Sequence, residues 1–511
     1  MSFEFGGSKR DRPAPEPVES GQLFRVLVVG DFSGRASRRQ EALPAAGFAP
    51  VTVDLDRFDA VLQGLAVTLD LRLPQSPDVP VRISLSSLDD FEPDALFARL
   101  PLFAKLRDLR MRLADASTFE QATAEMRADD ASVASMGVAA APDGLAPAED
   151  DASTLQRLLG SAPTSVAASA PQRSAGTVDA AVDRLLRRVV APFVVPATAH
   201  LQQPMIESVD RAISETMCGI LRDPHWRALE GNWRALDQFI RTVEMDGQVL
   251  LELVDASASD VLSSLSAAEG DSARTPLAKR LAARRLHEGQ EEGYAVLVAM
   301  YEFGPSAAEL ALLAGLGALA AGDGAVLLGA AAVELALIDV PDAWDGAVPM
   351  AADSQAQGRW RAMRASWVAP HIGLVWPNVM SRLPYGAKTQ PVASFAFEEL
   401  SATAVGSQLP WRSAALDLAS LLARTFTEFG WDMQSRLAVE LDELPAFVDD
   451  RGDSPRLQAV AQMYMSERQA QAVTAAGIMP LISHRSLPHA RLATWRSIAS
   501  AAPELESRWQ G

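Results

Sequence analysis

The sequence predicts a mixed α/β fold in two lobes, each a mixed sheet flanked by helices, joined by an Ala/Ser/Pro-rich linker. Three observations lead there. Short β-branched runs alternate with segments of helical period, the pattern of strands and helices packed in layers. The stretch from about residue 129 to 178 shifts to Ala, Ser, Pro, Gly and Asp and lacks the large side chains that a core needs. At 511 residues the chain is also too long for one ordinary core. The boundaries read from this are a disordered arm over residues 1–20, a first domain over 21–130, a flexible linker over 131–178 with a short helix near 153–160, and a second domain over 179–511.

Taken in order, Phe24-Arg25-Val26-Leu27-Val28-Val29-Gly30 is a buried strand that ends in the turn Gly30-Asp31-Phe32-Ser33-Gly34-Arg35. Val81-Arg82-Ile83-Ser84-Leu85 alternates apolar and polar residues, as a strand does with one face on the core. Leu96, Leu100, Phe103, Leu106, Leu109 and Leu113 then recur every three or four residues, which predicts one amphipathic helix with Pro93 in its first turn. In the linker, Ser153 to Leu159 forms a short amphipathic island, a candidate docking helix.

Helical period returns at Val182, Leu185, Leu186 and Val189, and again at Ile206, Val209, Ile213, Met217, Ile220 and Leu221. Asp223 and Pro224 fit the N-cap and first position of another helix, on which Trp226, Leu229, Trp233, Leu236 and Ile240 share a face. Four further strands are expected at Val249 to Val254, Tyr294 to Met300, Ala325 to Gly329 and His371 to Trp376, in a mixed or largely parallel sheet. The apolar tract from Ala307 to Ile338 is interrupted by Glu309, Asp323 and Glu334, so it reads as buried helix and strand rather than a membrane span.

Composition narrows the function. Hydrophobic residues at 48% and charged residues at 22% are globular proportions. A net charge of -19 argues against a general grip on nucleic acid or on an anionic membrane. One cysteine, Cys218, excludes an intramolecular disulfide and suits a reducing cytoplasm; beside Met217 it reads as a small buried hydrophobe. The N-terminus has no apolar signal-peptide core.

No catalytic constellation emerges. The turn Gly30 to Arg35 follows a strand, but it lacks the spacing of a phosphate loop, and a tight turn is the better reading. The histidines at 200, 225, 287, 371, 484 and 489 show no metal-ligand spacing, and His371 is expected to make an ordinary structural hydrogen bond. The acidic pairs Asp89-Asp90 and Asp449-Asp450 read as turn caps or solvated charges. Neither a cofactor nor a metal is expected.

Phe24 through Arg35, and Val81 through Leu85 followed by Ser87-Leu88-Asp89-Asp90-Phe91-Glu92-Pro93-Asp94, resemble the small sheath subunit of type VI secretion systems (TssB, or VipA) over roughly residues 20 to 130. Asp223 through Arg234, Tyr301-Glu302-Phe303, Ser381 through Gly386, Phe395 through Glu399, Phe429-Gly430-Trp431, and Ser466-Glu467-Arg468 through Gly477 to Leu481 resemble the large sheath subunit (TssC, or VipB), from about 180 to 490. The chain is thus similar to a small subunit fused to a large one.

The resemblance implies a cytoplasmic structural component of a contractile sheath, which works through interfaces and not through an active site. Its implied partners are copies of itself or standard sheath subunits, an inner tube protein, a baseplate, and an AAA+ unfoldase of the ClpV kind. Candidate assembly residues are Phe32, Asp89, Asp90, Phe91, Trp226, Trp233, Arg382 and Tyr385, with plain core packing or capping as the alternative for each. Leu155, Leu158 and Leu159 occupy the place of the unfoldase-docking helix. Large subunits of that family continue into a C-terminal region that interlocks neighbours by shared strands, and the second domain is expected to lack it. Fusion implies one-to-one stoichiometry and an effective concentration of about millimolar between the two parts. A non-polymerising cap, baseplate adaptor or assembly regulator is the alternative role, and a nucleotide-binding enzyme using Gly30 to Arg35 is the rival from another class.

Overall fold

The computed structural model describes residues 22–38, 42–74, 79–125, 202–245, 247–268, 271–288, 293–338, 354–401, 405–450, 454–501 and 503–510. Every residue of strand β1 (Phe24–Gly30) is buried, as its β-branched run predicts. Strand β2 (Val51–Thr52) follows, then the hairpin β3 (Thr68–Leu71) and β4 (Val81–Ser84), which pair antiparallel. Later strands are β5 (Val249–Asp255), β6 (Val296–Phe303), β7 (Val326–Ala331) and β8 (Ile372–Trp376), close to the four stretches expected. Short strands complete the set: β9 (Val379–Met380), β10 (Trp411–Arg412), β11 (Glu440–Leu441), β12 (Val448–Asp449), β13 (Arg456–Leu457), β14 (Met479–Ser483) and β15 (Ala490–Leu492).

Nine strands form one sheet in the order β11-β15-β14-β8-β7-β6-β1-β5-β2. From β14 to β5 neighbouring strands run parallel, and β2, β15 and β11 are antiparallel additions. The α/β class therefore holds. The sheet, however, is shared by the two segments distinguished above. Strand β1 lies between β5 and β6, with Phe24 opposite Val249 and Gly30 opposite Asp255 on one side, and Val26 opposite Val296 on the other. A parallel strand needs no local turn to its neighbour, so a segment far back in sequence can enter the middle of the sheet.

Helices cover the sheet. The helix Ala307–Asp323 contributes Leu310, Leu313 and Leu316 to a cluster with Leu27 and Val29 of β1, Leu297 of β6 and Leu327 of β7. The tract Ala307 to Ile338 is thus helix and strand, and among the described residues no helix is long and apolar enough to cross a membrane. A second helix, Ala415–Phe429, is buried along most of its length and packs on β1, β6 and β7.

The chain divides into two compact units that do not follow the composition boundaries. One takes in residues up to Leu73, then Pro80–Phe97 and everything from Met217; the other takes in Pro74–Val79 and Ala98–Thr216. In the second unit, Gln202 donates from Nε2 to the carbonyls of Leu113 and Ala114, both at 2.8 Å, and Arg110 pairs with Asp210 at 2.5 Å. The single helix expected over residues 94–113 is instead two, Pro93–Arg99 and Pro101–Ala114. Leu100 is extended at the break because the ring of Pro101 disfavours helical geometry in the residue before it. The arm, the linker and the candidate docking helix with Leu155, Leu158 and Leu159 lie outside the described residues.

Candidate assembly seam

Two parts of the first unit, residues 24–73 with 80–97 and residues 217–510, meet along a seam built largely on the helix Pro224–Thr242. That helix starts as its sequence dictates: Asp223 accepts from the amides of His225 at 2.8 Å and Trp226 at 3.3 Å, and Pro224 holds the first position. Capping in this way fixes the rotation of the helix and so fixes where Trp226, Glu230 and Trp233 point.

Trp233 is fully buried. Phe32 and Phe58 meet it edge-on at centroid distances of 5.3 and 5.5 Å, and its indole Nε1 donates to the Phe32 carbonyl at 2.9 Å. Such aromatic contacts add to the area they remove from water. Asn232 donates to the Asp31 carbonyl at 3.1 Å. Further along, Phe91 packs on Trp226 at 5.3 Å, and Phe97 on Phe395 at 4.5 Å. Asp94 accepts from the amides of Ala393 and Ser394 at 2.9 and 2.8 Å.

Asp90 closes the turn ahead of the helix Pro93–Arg99, accepting from the amides of Ser86 at 2.6 Å and Ser87 at 3.1 Å. Asp89 points to solvent. Of the eight candidate assembly residues, then, Phe32, Asp90, Phe91, Trp226, Trp233, Arg382 and Tyr385 are buried inside this chain. Phe32 with Trp233 and Phe91 with Trp226 join the two stretches, whereas Arg382 and Tyr385 meet partners within residues 217–510.

Beside the seam lies a charged network of which sequence reading singled out Arg382 and Tyr385 but not Glu230 or Arg234. Arg382, 3% exposed, donates to Glu230 at 2.7 Å and to Glu399 at 2.7 and 3.1 Å, and its guanidinium stacks over the Tyr385 ring at 4.1 Å. Arg234 donates to Glu230 at 2.8 Å, and the Tyr385 amide donates to Glu399 at 2.8 Å. Burial alone would raise the Glu230 carboxyl, but Arg382 and Arg234 outweigh it and hold the group below its usual range. Burial likewise works against the charge on Arg382, and Glu230 and Glu399 more than reverse it. A second buried link ties β1 to its neighbour: Arg25 donates to Glu252 at 3.0 Å, and the Tyr294 hydroxyl donates to the same carboxylate at 2.8 Å.

The turn after β1 was the one place where a phosphate loop was conceivable. Its amides are already committed. Those of Phe32 and Ser33 donate to Asp255 at 2.8 and 3.0 Å, and those of Gly34, Arg35 and Ala36 donate to Asp31 at 2.7, 2.8 and 2.6 Å. These bonds tie the turn to itself and to Asp255 at the end of β5, so the turn is a structural junction. Gly34 has φ of +80°, and a Cβ there would fall 2.5 Å from the Thr68 carbonyl oxygen, which accounts for the glycine.

Arg35 leaves this turn to pair with Asp260 at 2.8 Å, again joining the two stretches. Burial would raise the Asp260 carboxyl, but its bonds to Arg35 and Ser257 prevail and hold it at about 2, against an ordinary 3.8. A carboxyl held low in the folded state stabilises the fold above its unfolded pKa, and the contribution disappears as pH falls through the folded value. Between about pH 4 and pH 2 the unfolding free energy is therefore expected to drop, and to drop less in Asp260→Asn. Urea titrations of both proteins across that range check this; equal slopes would count against the Arg35 link.

The remaining candidates are structural. His371 Nδ1 lies 3.3 Å from the Ala325 carbonyl. Cys218 is only partly buried, with its sulfur 3.7 Å from the Glu399 carbonyl. Asp450 pairs with Lys388 at 2.6 Å on the surface. Among the described residues no group of three or more His, Cys, Asp or Glu side chains could hold a metal ion.

A sheet whose central strand comes from one segment and whose flanking strands come from another, sealed by an aromatic and ionic seam, defines a protein made of two interlocked parts. Each part matches a known family. Residues 203–499 match the family model described as EvpB/VC_A0108, tail sheath N-terminal domain (VipB), and residues 19–130 match that described as Type VI secretion system, VipA, VC_A0107 or Hcp2. The first match spans more than half of the chain, which belongs to the VipB tail sheath family and carries a VipA-family segment ahead of it.

Two relatives from Pseudomonas aeruginosa agree. The type VI secretion system sheath protein TssC1 is 25% identical over 311 residues, which cover 59% of this chain and 62% of that protein. The type VI secretion system sheath protein TssB1 is 27% identical over 100 residues, 19% of this chain and 57% of that protein. The chain thus spans about three fifths of the length of each relative it matches.

Proposed function

We propose that this chain is a structural component of a type VI secretion contractile sheath, a small-subunit and a large-subunit segment delivered as one prefolded pair. The observation that carries the reading is β1 of the VipA-like segment hydrogen-bonded between β5 and β6 of the VipB-like segment. Two polypeptides that must share a sheet have to find each other first; linked in one chain, they do so at the effective concentration of a tether.

On this reading the protein works in the cytoplasm through its interfaces and carries no catalysis. It packs on copies of itself and on standard sheath subunits around an inner tube, engages a baseplate, and presents Leu155, Leu158 and Leu159 to a ClpV-like unfoldase. The commitment of the Phe32 to Ala36 amides to Asp255 and Asp31 supports the absence of a nucleotide site. Millimolar ATP or inorganic phosphate should leave the melting temperature unchanged, whereas a partner that binds the fold raises it.

The test is to mix the gold-labelled chain with the standard small and large sheath subunits and tube protein from the same cell, and to view the tubes by negative-stain electron microscopy. Label along the full length of the tubes is expected. Label confined to the ends would make the chain a cap or adaptor, and unlabelled tubes would remove it from the sheath.

A further inference from the structure

The hairpin of β3 and β4 turns Leu69, Leu71, Val81 and Ile83 into the core and Thr68, Asp70 and Arg82 outward. With Ser37, Arg38 and Arg72 these outward groups line a cleft of about 630 Å³. Three arginines face one aspartate there. Arg82 takes Asp70 with two bonds, at 2.7 and 2.8 Å, and holds that carboxyl below its usual range. Arg38 is anchored by donating to the Ser33 carbonyl at 2.9 Å. With Asp70 bound by Arg82, no second carboxylate among the described residues of the lining balances the charges of Arg38 and Arg72. A concentration of positive charge in a chain of net charge -19 calls for a carboxylate-bearing occupant, and guanidinium groups in a cleft suit carboxylates by bidentate bonding.

This chain offers such an occupant on a different surface. Among the described residues, strand β11 is one edge of the nine-stranded sheet, with β15 beside it. Glu440 is exposed there, and exposed Asp442 and Glu443 follow at once. Glu443 holds a positive φ of 58°, rare for a residue with a side chain, so the bend that presents this acidic edge is fixed in the backbone.

We propose that the arginine cleft of one copy receives the edge formed by Glu440, Asp442 and Glu443 of a second copy. The inference rests on the sheath reading and supplies a surface for it. Because the two patches differ, the contact is head-to-tail; it leaves a free cleft at one end and a free edge at the other, and it propagates into a ring or a helix rather than closing as a dimer. Both partners are solvent-exposed, so the contact weakens as salt screens it.

Sedimentation velocity of the full chain at increasing concentration tests this. Association is expected at about 50 mM salt and should be about tenfold weaker at about 500 mM. Arg72→Glu, and the pair Arg38→Glu with Arg72→Glu, should each weaken association by tenfold or more, on the order of 1.4 kcal/mol. The triple change Glu440→Lys, Asp442→Lys, Glu443→Lys should do the same. An equimolar mixture of the cleft-reversed and edge-reversed proteins should regain association, since each then meets its opposite charge. Wild-type protein that stays monomeric, variants that associate as well as wild type, or a mixture no better than its components would each overturn the proposal. In any of these cases, gold label along standard sheath tubes would retain the sheath reading and discard only this contact, whereas unlabelled tubes would discard both.

Discussion

Arg382→Met is expected to destabilise the fold by roughly 3–5 kcal/mol, the cost of breaking a buried charge network by removing one partner. Arg382 lies between Glu230 and Glu399, which are 1% and 0% exposed, and its loss removes the guanidinium from Glu399 and leaves Glu230 with Arg234. The pH dependence should also weaken. In the wild-type protein the Glu230 carboxyl is held below its usual 4.5, so its contribution is present above that value and falls away as pH drops through the folded pKa. In the variant Glu230 keeps Arg234 but loses Arg382, so its carboxyl is held less far down and less stability is lost on acidification. Urea midpoints at about pH 3 and about pH 7 read both effects. Adding Glu399→Gln to Arg382→Met should recover part of the loss, since the carboxylate that lost its guanidinium is then gone while Glu230 keeps Arg234; no recovery would show that the cost lies in packing alone.

Trp233→Ala is expected to cost a similar amount, about 3–5 kcal/mol, through the cavity left between Phe32 and Phe58 and the lost bond to the Phe32 carbonyl. Trp233→Phe keeps most of the volume and should cost clearly less. Asp89→Ala, at the exposed member of the candidate set, should stay within about 0.5 kcal/mol of wild type. Denaturant unfolding of the three variants orders them; an Asp89 effect as large as that of Trp233 would contradict the seam as described.

Local features were legible because they depend on residues a few positions apart. The β-branched run at Phe24 to Gly30 and the cap at Asp223 with Pro224 are read directly from neighbouring side chains, and the structure places them as expected. Leu100 shows where one local signal overrides another: helical period runs through it, but Pro101 divides the helix. The seat of β1 was not legible. Its neighbours begin at Val249 and Val296, and a parallel strand buried on both faces carries no periodic mark of which strands it will join. Glu230 was missed for a related reason. On a helix face otherwise made of Trp226, Leu229 and Trp233 it reads as a solvated charge, and only the fold brings Arg382 from 152 residues away to meet it. An arginine and a glutamate that far apart carry no spacing signal.

That the VipA-like and VipB-like segments form one folded pair is tested most directly by cutting between them. A specific protease site placed within residues 126–201 of the full chain, cleaved after folding, separates the polypeptide into two pieces without touching the sheet. The pieces are expected to elute together in gel filtration and to part only in denaturant, because the hydrogen bonds of β1 to β5 and β6 and the contacts of Trp233 and Trp226 remain. Two pieces that elute separately under native conditions would contradict the shared sheet and, with it, the reading of this chain as a prefolded sheath pair.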